Sequence, residues 1–334
     1  MRNVGTPALL VGCALLLLLP LTSAQATAPP PGAARPAASG AHDRTASDAY
    51  WTAARMRAAE PVEGGGDRDR TPAPSPSKPF AGLPIVGTFF WSDASGSGHS
   101  CGGTVVDSPG RDLVVSAGHC FEGKMTGTNL AFVPQYDDGK KPYGSYSVQR
   151  NGIFIDNRYL VKGQDTAADL DFVFLRLNPR DGVNIQDALG GAELMVNSGY
   201  EHDPVRLIGY PDNQQHPLDC TDRTVRFDSP DPDIPGSFLK IKCAAYSGGS
   251  SGGPFLVRRM TGWGIIGVIG GWKTGGDEDD ISYSSYFDND TKELYEKAVN
   301  APDNSPASAA REVLSTSGTW KYPEALAMEI LQRG

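Results

Sequence analysis

Tyr246-Ser247-Gly248-Gly249-Ser250-Ser251-Gly252-Gly253-Pro254-Phe255 carries a serine through a glycine-rich loop into an apolar run. The residues after the serine decide the fold. Gly249-Ser250-Ser251-Gly252-Gly253 fits the Gly-x-Ser-x-Gly elbow of α/β-hydrolases, which needs a helix after the serine and a catalytic histidine later in the chain. Here Pro254-Phe255-Leu256-Val257 reads as strand and no histidine follows His216, so that architecture is excluded. A serine hydroxyl is a poor nucleophile without an adjacent base. A candidate base lies upstream in Val114-Val115-Ser116-Ala117-Gly118-His119-Cys120, where a strand ends at a small-residue turn. Between the two stands Asp169-Leu170-Asp171-Phe172-Val173-Phe174-Leu175-Arg176-Leu177, an aspartate opening an apolar strand. A carboxylate can fix the imidazole tautomer and stabilise the imidazolium that forms. Asp171 is preferred to Asp169 because it abuts the apolar run, although on a strand the two would share a face. Glycines around the serine let backbone N–H groups converge on an oxyanion, which makes Gly249 and Ser251 the candidate donors. Taken singly, each motif is also an ordinary turn. The ordered set His119, Asp171, Ser251 is what points to acyl transfer.

Outward from these motifs the chain reads as β structure. Short β-branched and aromatic runs recur at 85–91, 103–107, 113–116, 130–133, 145–149, 172–177, 205–208, 224–227, 238–243, 254–257 and 265–269. With 40 Gly and 26 Pro to supply turns, this indicates an antiparallel sandwich or barrel. A helix is predicted over 290–300, and one or two more around 307–314 and 323–331. Residues 27–80 read as a pro-segment or linker, rich in Pro, Ala and Gly, with one helical candidate at 47–59 and Ser47 as its N-cap. Tyr50, Trp51 and Met56 speak for a pro-segment, since a plain tether has no use for them. Before it, Arg2, an apolar stretch at 8–21 and small residues at 22–26 read as an export signal over 1–26. The stretch is too short to span a membrane. Leu10-Val11-Gly12-Cys13 is followed by more apolar residues, so lipidation of Cys13 is not expected.

The charge balance narrows the function classes. Asp and Glu number 39 against 30 Lys and Arg, a net charge of −9 over 334 residues. A nucleic-acid binder would carry a basic face, and the balance gives no reason to expect attraction to anionic membranes. Without the signal, Cys101, Cys120, Cys220 and Cys243 remain, an even number that suggests two disulfides in an exported protein. Three pairings are open; the local one closes loops of about 20 residues, each worth roughly 3 kcal/mol. No Cys-x-x-Cys pair exists, so no metal is expected. Asp277-Glu278-Asp279-Asp280 reads as a solvated loop, and His99, His202 and His216 as surface or structural residues.

These segments resemble the chymotrypsin/trypsin-like serine peptidases. Ser116-Ala117-Gly118-His119-Cys120 is similar to that family's histidine box, and Gly249-Ser250-Ser251-Gly252-Gly253-Pro254 to its serine box. His99 to Val106 resembles the strand bearing the partner of Cys120, so the resemblance pairs Cys101 with Cys120 and leaves Cys220 with Cys243. It implies an all-β fold over 81–300, two antiparallel six-stranded β-barrels with a C-terminal helix and an extension at 301–334. It also implies His119 as general base, Asp171 as its orienter and Ser251 as nucleophile. Ala245, Ile269, Gly270, Gly271 and Trp272 fall at its substrate-binding positions, with Trp272 at the pocket rim. The implied protein is a secreted, monomeric serine endopeptidase acting on proteins or peptides without a cofactor. The alternatives are a protease-like binding protein without useful turnover, or an esterase on the same fold. Ser250 stands where trypsins carry the aspartate that pairs with a freed N-terminus, so Pro84-Ile85-Val86-Gly87 reads as first strand and not as an activation site. The pattern is closer to the secreted bacterial branch that includes glutamyl endopeptidases. The histidine that gives that branch its glutamate specificity has no counterpart here, and Ala245 offers no charge for a basic side chain.

Overall fold

The structure is a computed structural model that describes residues 46–62, 73–122, 128–211, 216–305 and 308. The N-terminal strands are β1 (Glu60–Pro61) and β2 (Lys78–Pro79). Six strands follow: β3 (Val86–Ser92), β4 (Gly98–Val105), β5 (Leu113–Ser116), β6 (Thr128–Pro134), β7 (Tyr146–Ile155) and β8 (Val173–Leu177). Their order β4-β3-β6-β7-β8-β5 closes on itself through a β4–β5 pairing, giving a six-stranded antiparallel barrel. Closure removes the exposed edges that an open sheet would leave.

The second unit comprises β9 (Ala192–Leu194), β10 (His202–Gly209), β11 (Leu218–Asp228), β12 (Ser237–Ile241), β13 (Pro254–Arg258), β14 (Trp263–Val268) and β15 (Ser282–Ser285). They run β15-β12-β11-β10-β13-β14-β9, and β2 adds to β11 to make eight strands. The β14 and β15 segments approach through Val268 N–H donating to Ser284 Oγ (2.9 Å) and Gly270 N–H donating to Tyr283 O (3.0 Å). So the all-β architecture in two units stands, and the first is the expected six-stranded barrel. In place of the expected second six-stranded antiparallel barrel there is an eight-stranded sheet, because β2 and the parallel β9 add to it. Two pairings are parallel, β1 with β4 and β9 with β14.

The helices are short. α1 is Ala53–Arg57, α2 Asn157–Thr166, α3 Ile185–Leu189 and α4 Asn289–Asn300. α4 occupies the stretch expected at 290–300 and starts one residue earlier, because Asp288 and Thr291 form a reciprocal capping box. The helix expected over 47–59 is split: residues 46–50 are helical, the chain breaks at Trp51 and Thr52, and α1 follows. Thr52, not Ser47, caps α1, its Oγ1 accepting from Arg55 N–H. Ser47 instead bonds Ser145 Oγ at 3.1 Å. The expected export signal and the helices at 307–314 and 323–331 lie outside the described residues, Ser308 apart.

Why the N-terminal segment packs is legible in β3. Successive strand residues face opposite sides. Phe89 turns into the barrel against Phe132 (4.9 Å) and Phe121 (5.3 Å). Phe90 turns outward, where Trp51 (5.4 Å) and Tyr136 (5.1 Å) cover it. Trp51 is 1% exposed, and its Nε1–H donates to Asn129 O at 2.7 Å. β5 reaches only Thr104 and Val105 of β4, and β1 takes the free edge at His99 and Ser100. Asp48 is held by Ser145 and Arg180. Replacing Trp51 by Ala is therefore expected to cost about 3–5 kcal/mol, the scale for a buried Trp. Denaturant unfolding of the full chain reads this; an unchanged midpoint would show that the segment contributes nothing to the barrel.

Candidate active site

His119 lies in a 3-10 turn, Gly118–Cys120, that ends β5. The disulfide Cys101–Cys120 ties this turn to β4, while Cys220–Cys243 crosses the second core. Asp171 follows another 3-10 turn, Ala168–Leu170, and the strand proper begins only at Val173. The turn separates the two aspartates that a continuous strand would put on one face. Asp169 is exposed, whereas Asp171 is 1% exposed.

The imidazole and the carboxylate meet directly. His119 Nδ1 and Asp171 Oδ2 are 2.8 Å apart, and His119 backbone N–H donates to Oδ1 at 2.8 Å. Gly271 N–H donates to Oδ2 at 2.7 Å. Burial pushes the Asp171 pKa up, but the imidazole charge and these hydrogen bonds outweigh it and hold the carboxyl below its ordinary value. Gly270 has to be glycine for this geometry, since a Cβ there would sit 2.9 Å from Asp171 Oδ2.

Ser251 is 4% exposed, in the turn before β13. Gly102 N–H from β4 donates to Ser251 O at 2.7 Å, and Gly252 N–H donates to Ile269 O at 2.8 Å. These bonds link the serine loop to the disulfide strand on one side and to the Ile269-Gly270-Gly271 segment on the other. His119 Nε2 is buried and has no hydrogen-bond partner among the described residues, so the histidine–serine bond is not formed in this geometry. Around the serine, the N–H groups of Ser250, Gly252 and Gly253 are each taken by a backbone carbonyl. Those of Gly249 and Ser251 donate to no described group.

Beside Ser251 opens a small cleft, open to solvent, walled by Tyr246, Ser247, Ile269 and the loop from Thr274 to Asp279. Of the five positions matched to substrate binding, Ile269 lines it. Gly270 and Gly271 face Asp171. Ala245 sits at φ +69 with its N–H donating to Asp280 Oδ1 at 3.3 Å. Trp272 packs between Phe227 (5.0 Å) and Tyr283 (4.7 Å), so it belongs to an aromatic cluster. The acidic loop is tied inward as well: Asp277 pairs with Lys273, and Asp279 O accepts from Tyr246 N–H at 2.7 Å. No sequence signal identified the 274–279 loop as a cleft wall.

Ligand atoms of Cys101, His119 and Cys120 lie within 4.8 Å of one another, but both sulfurs are spent in the disulfide and offer no thiolate. His99 pairs with Asp93, His202 with Gly199 O and His216 with Asp137, as structural residues do. Among the described residues, no helix is long and apolar enough to cross a membrane.

Residues 87–268, over half of the chain, match the family model described as a trypsin-like peptidase domain. A comparison with curated proteins gives no match. Among solved structures, the protease Anisep from Arthrobacter nicotinovorans aligns at TM-score 0.58 and 22% identity, over 67% of this chain and 100% of that one. A thermostable serine protease from an extremophilic microorganism aligns at 0.55 and 22%, over 66% and 98%. A Glu endopeptidase aligns at 0.50 and 15%, over 69% and 98%. At these identities the likeness is one of fold. The family match rests on the sequence itself, and its range includes His119, Asp171 and Ser251. The chain belongs to the trypsin-like peptidase family and is a serine endopeptidase.

Proposed function

We propose that Ser251 is the nucleophile of this endopeptidase, with His119 as general base and Asp171 as the group that orients it. Ser251 Oγ attacks the scissile carbonyl while His119 Nε2 takes its proton. The backbone N–H groups of Gly249 and Ser251 receive the oxyanion of the tetrahedral intermediate. His119 then protonates the leaving amine, and water hydrolyses the acyl-Ser251. The observation that carries the reading is the buried Nδ1–Oδ2 contact of 2.8 Å. It fixes the ring so that Nε2 is the nitrogen left for proton transfer. We assign the cleft beside Ser251 as the primary side-chain pocket. A fluorophosphonate probe tests the roles: peptide mapping of the labelled protein is expected to find the adduct on Ser251 at one per chain. An adduct on any other residue, or none, would reject the assignment.

We further propose that residues 1–26 direct export. The apolar stretch at 8–21 and the small residues after it support this, and two disulfides suit an oxidising compartment. Within the segment 27–80, read as a pro-segment, the described residues 46–62 and 73–80 fold with the domain: 46–62 pack on the barrel, and β2 pairs with β11 in the other unit. The substrates are proteins or peptides, and the protein acts as a monomer.

A further inference from the structure

We infer that Tyr159 is a positioning residue for Asp171, its phenol donating the fourth hydrogen bond that the carboxylate has room for. The inference rests on the roles proposed above. A carboxylate accepts at about four sites, two on each oxygen. Oδ2 has two donors, His119 Nδ1–H and Gly271 N–H, and Oδ1 has one, His119 N–H. The vacant site is therefore on Oδ1.

Tyr159 stands on the side of that oxygen. It projects from the first turn of α2, is 0% exposed, and is the one buried residue of that helix. Its Oη has no hydrogen-bond partner among the described residues. A buried hydroxyl left unpaired is unfavourable, and a small rotation toward an acceptor removes the penalty. Gly118 shows which acceptor is near. A Cβ built on Gly118 would lie 3.2 Å from Asp171 Oδ1 and 3.4 Å from Tyr159 Cε1, the ring carbon next to the one bearing Oη. The carboxylate oxygen and the hydroxyl edge of the ring thus flank one small gap that only a glycine leaves open. Burial first, then the charges of Asp171 and Glu122, with Asp165 adding to them, push the phenol far above its ordinary pKa. It stays a donor throughout the working range. Glu122 also feels Asp171 and His119, so it and Asp165 are the further charged groups near this cluster.

The test is Tyr159→Phe in the full chain, followed by kcat, KM and the pH profile. A phenol that shares the carboxylate's charge weakens the hold of Asp171 on the imidazolium. Its loss is expected to move the acid limb of kcat/KM to higher pH. It is also expected to lower kcat about tenfold with KM unchanged, the scale of one hydrogen bond to a charged group. A structural role alone would shift the melting temperature and leave the limb in place. A folded Tyr159→Phe with wild-type kcat and an unmoved limb overturns the inference. Should that variant not fold, Gly118→Ala is read instead, because its methyl wedges the two groups apart. It is expected to show the same limb shift, and an unmoved limb overturns the inference equally. Asp171→Asn tells the two failures apart. Wild-type kcat in that variant defeats the proposed triad, whereas a crippled Asp171→Asn beside an unchanged Tyr159→Phe defeats only the positioning role.

Discussion

Ser251→Ala is expected to lower kcat for peptide hydrolysis by about 10⁶-fold. The variant should keep a residual advantage of roughly 10³–10⁴ over the uncatalysed reaction, because oxyanion donors and substrate binding outlive the nucleophile. The donors survive here for a specific reason. Gly249 and the backbone N–H of residue 251 are set by the turn from Ser247 to Gly253, which is pinned by Gly102 N–H on Ser251 O and by Gly252 N–H on Ile269 O. None of these bonds involves the Ser251 side chain. Alanine at this position therefore removes the attacking oxygen and leaves the loop intact, so KM and the melting temperature should hardly move. Steady-state kinetics beside a thermal melt distinguishes this outcome from a folding defect. A variant that retains even a tenth of wild-type kcat would mean that the acyl-enzyme forms elsewhere.

The parts of this site legible in the sequence are those where chemistry restricts residue type. In the proposed mechanism the backbone around Ser251 comes close to an oxyanion, a demand that glycine meets, and the motif stands out. At His119 the adjoining Cys120 is bound to β4, which leaves a second mark in the sequence. Asp171 was separable from Asp169 only by its neighbour Phe172, because the turn that parts them has no strong signature. Other elements were hidden for physical reasons. β15 reads Ser282-Tyr283-Ser284-Ser285, too polar to resemble a buried strand. Its hydroxyls are satisfied internally, Ser284 Oγ by Val268 N–H and Ser285 Oγ by Ala168 O, so polar residues serve inside the fold. α2 is short, mostly polar, buries one residue and is interrupted at Gly163, so little in its sequence marks it as a helix. The packing of 46–62 depends on β3 being buried on both faces, and the strand's sequence does not announce what will cover its second side. Trp51 finds Phe90 across a span of sequence at which local pattern is silent.

Asp171→Asn is the second large effect, an expected loss of about 10⁴ in kcat. Asn is nearly isosteric, and its amide oxygen can still accept one of the three donors that converge on the carboxylate. The amide nitrogen cannot accept the others. If the oxygen takes the Oδ1 position, it keeps His119 N–H, and the NH₂ group then faces both His119 Nδ1 and Gly271 N–H. The imidazole responds by placing its proton on Nε2, where Ser251 needs a lone pair, so the general base is lost while the fold remains. If the amide flips, His119 N–H and Tyr159 face the NH₂ group and the turn at Gly118–Cys120 loses its anchor. Stability should carry a matching signature. Because the folded-state pKa of Asp171 is depressed, its ionisation stabilises the native state above the unfolded carboxyl value and that contribution fades as pH falls below about 4. Melting temperatures of wild type and Asp171→Asn should therefore differ most near neutrality and converge on acidification. Parallel curves would place the carboxylate's influence outside the folding equilibrium. Loss of kcat without any change in the acid limb would show that Asp171 shapes the turn and does not act through the ring.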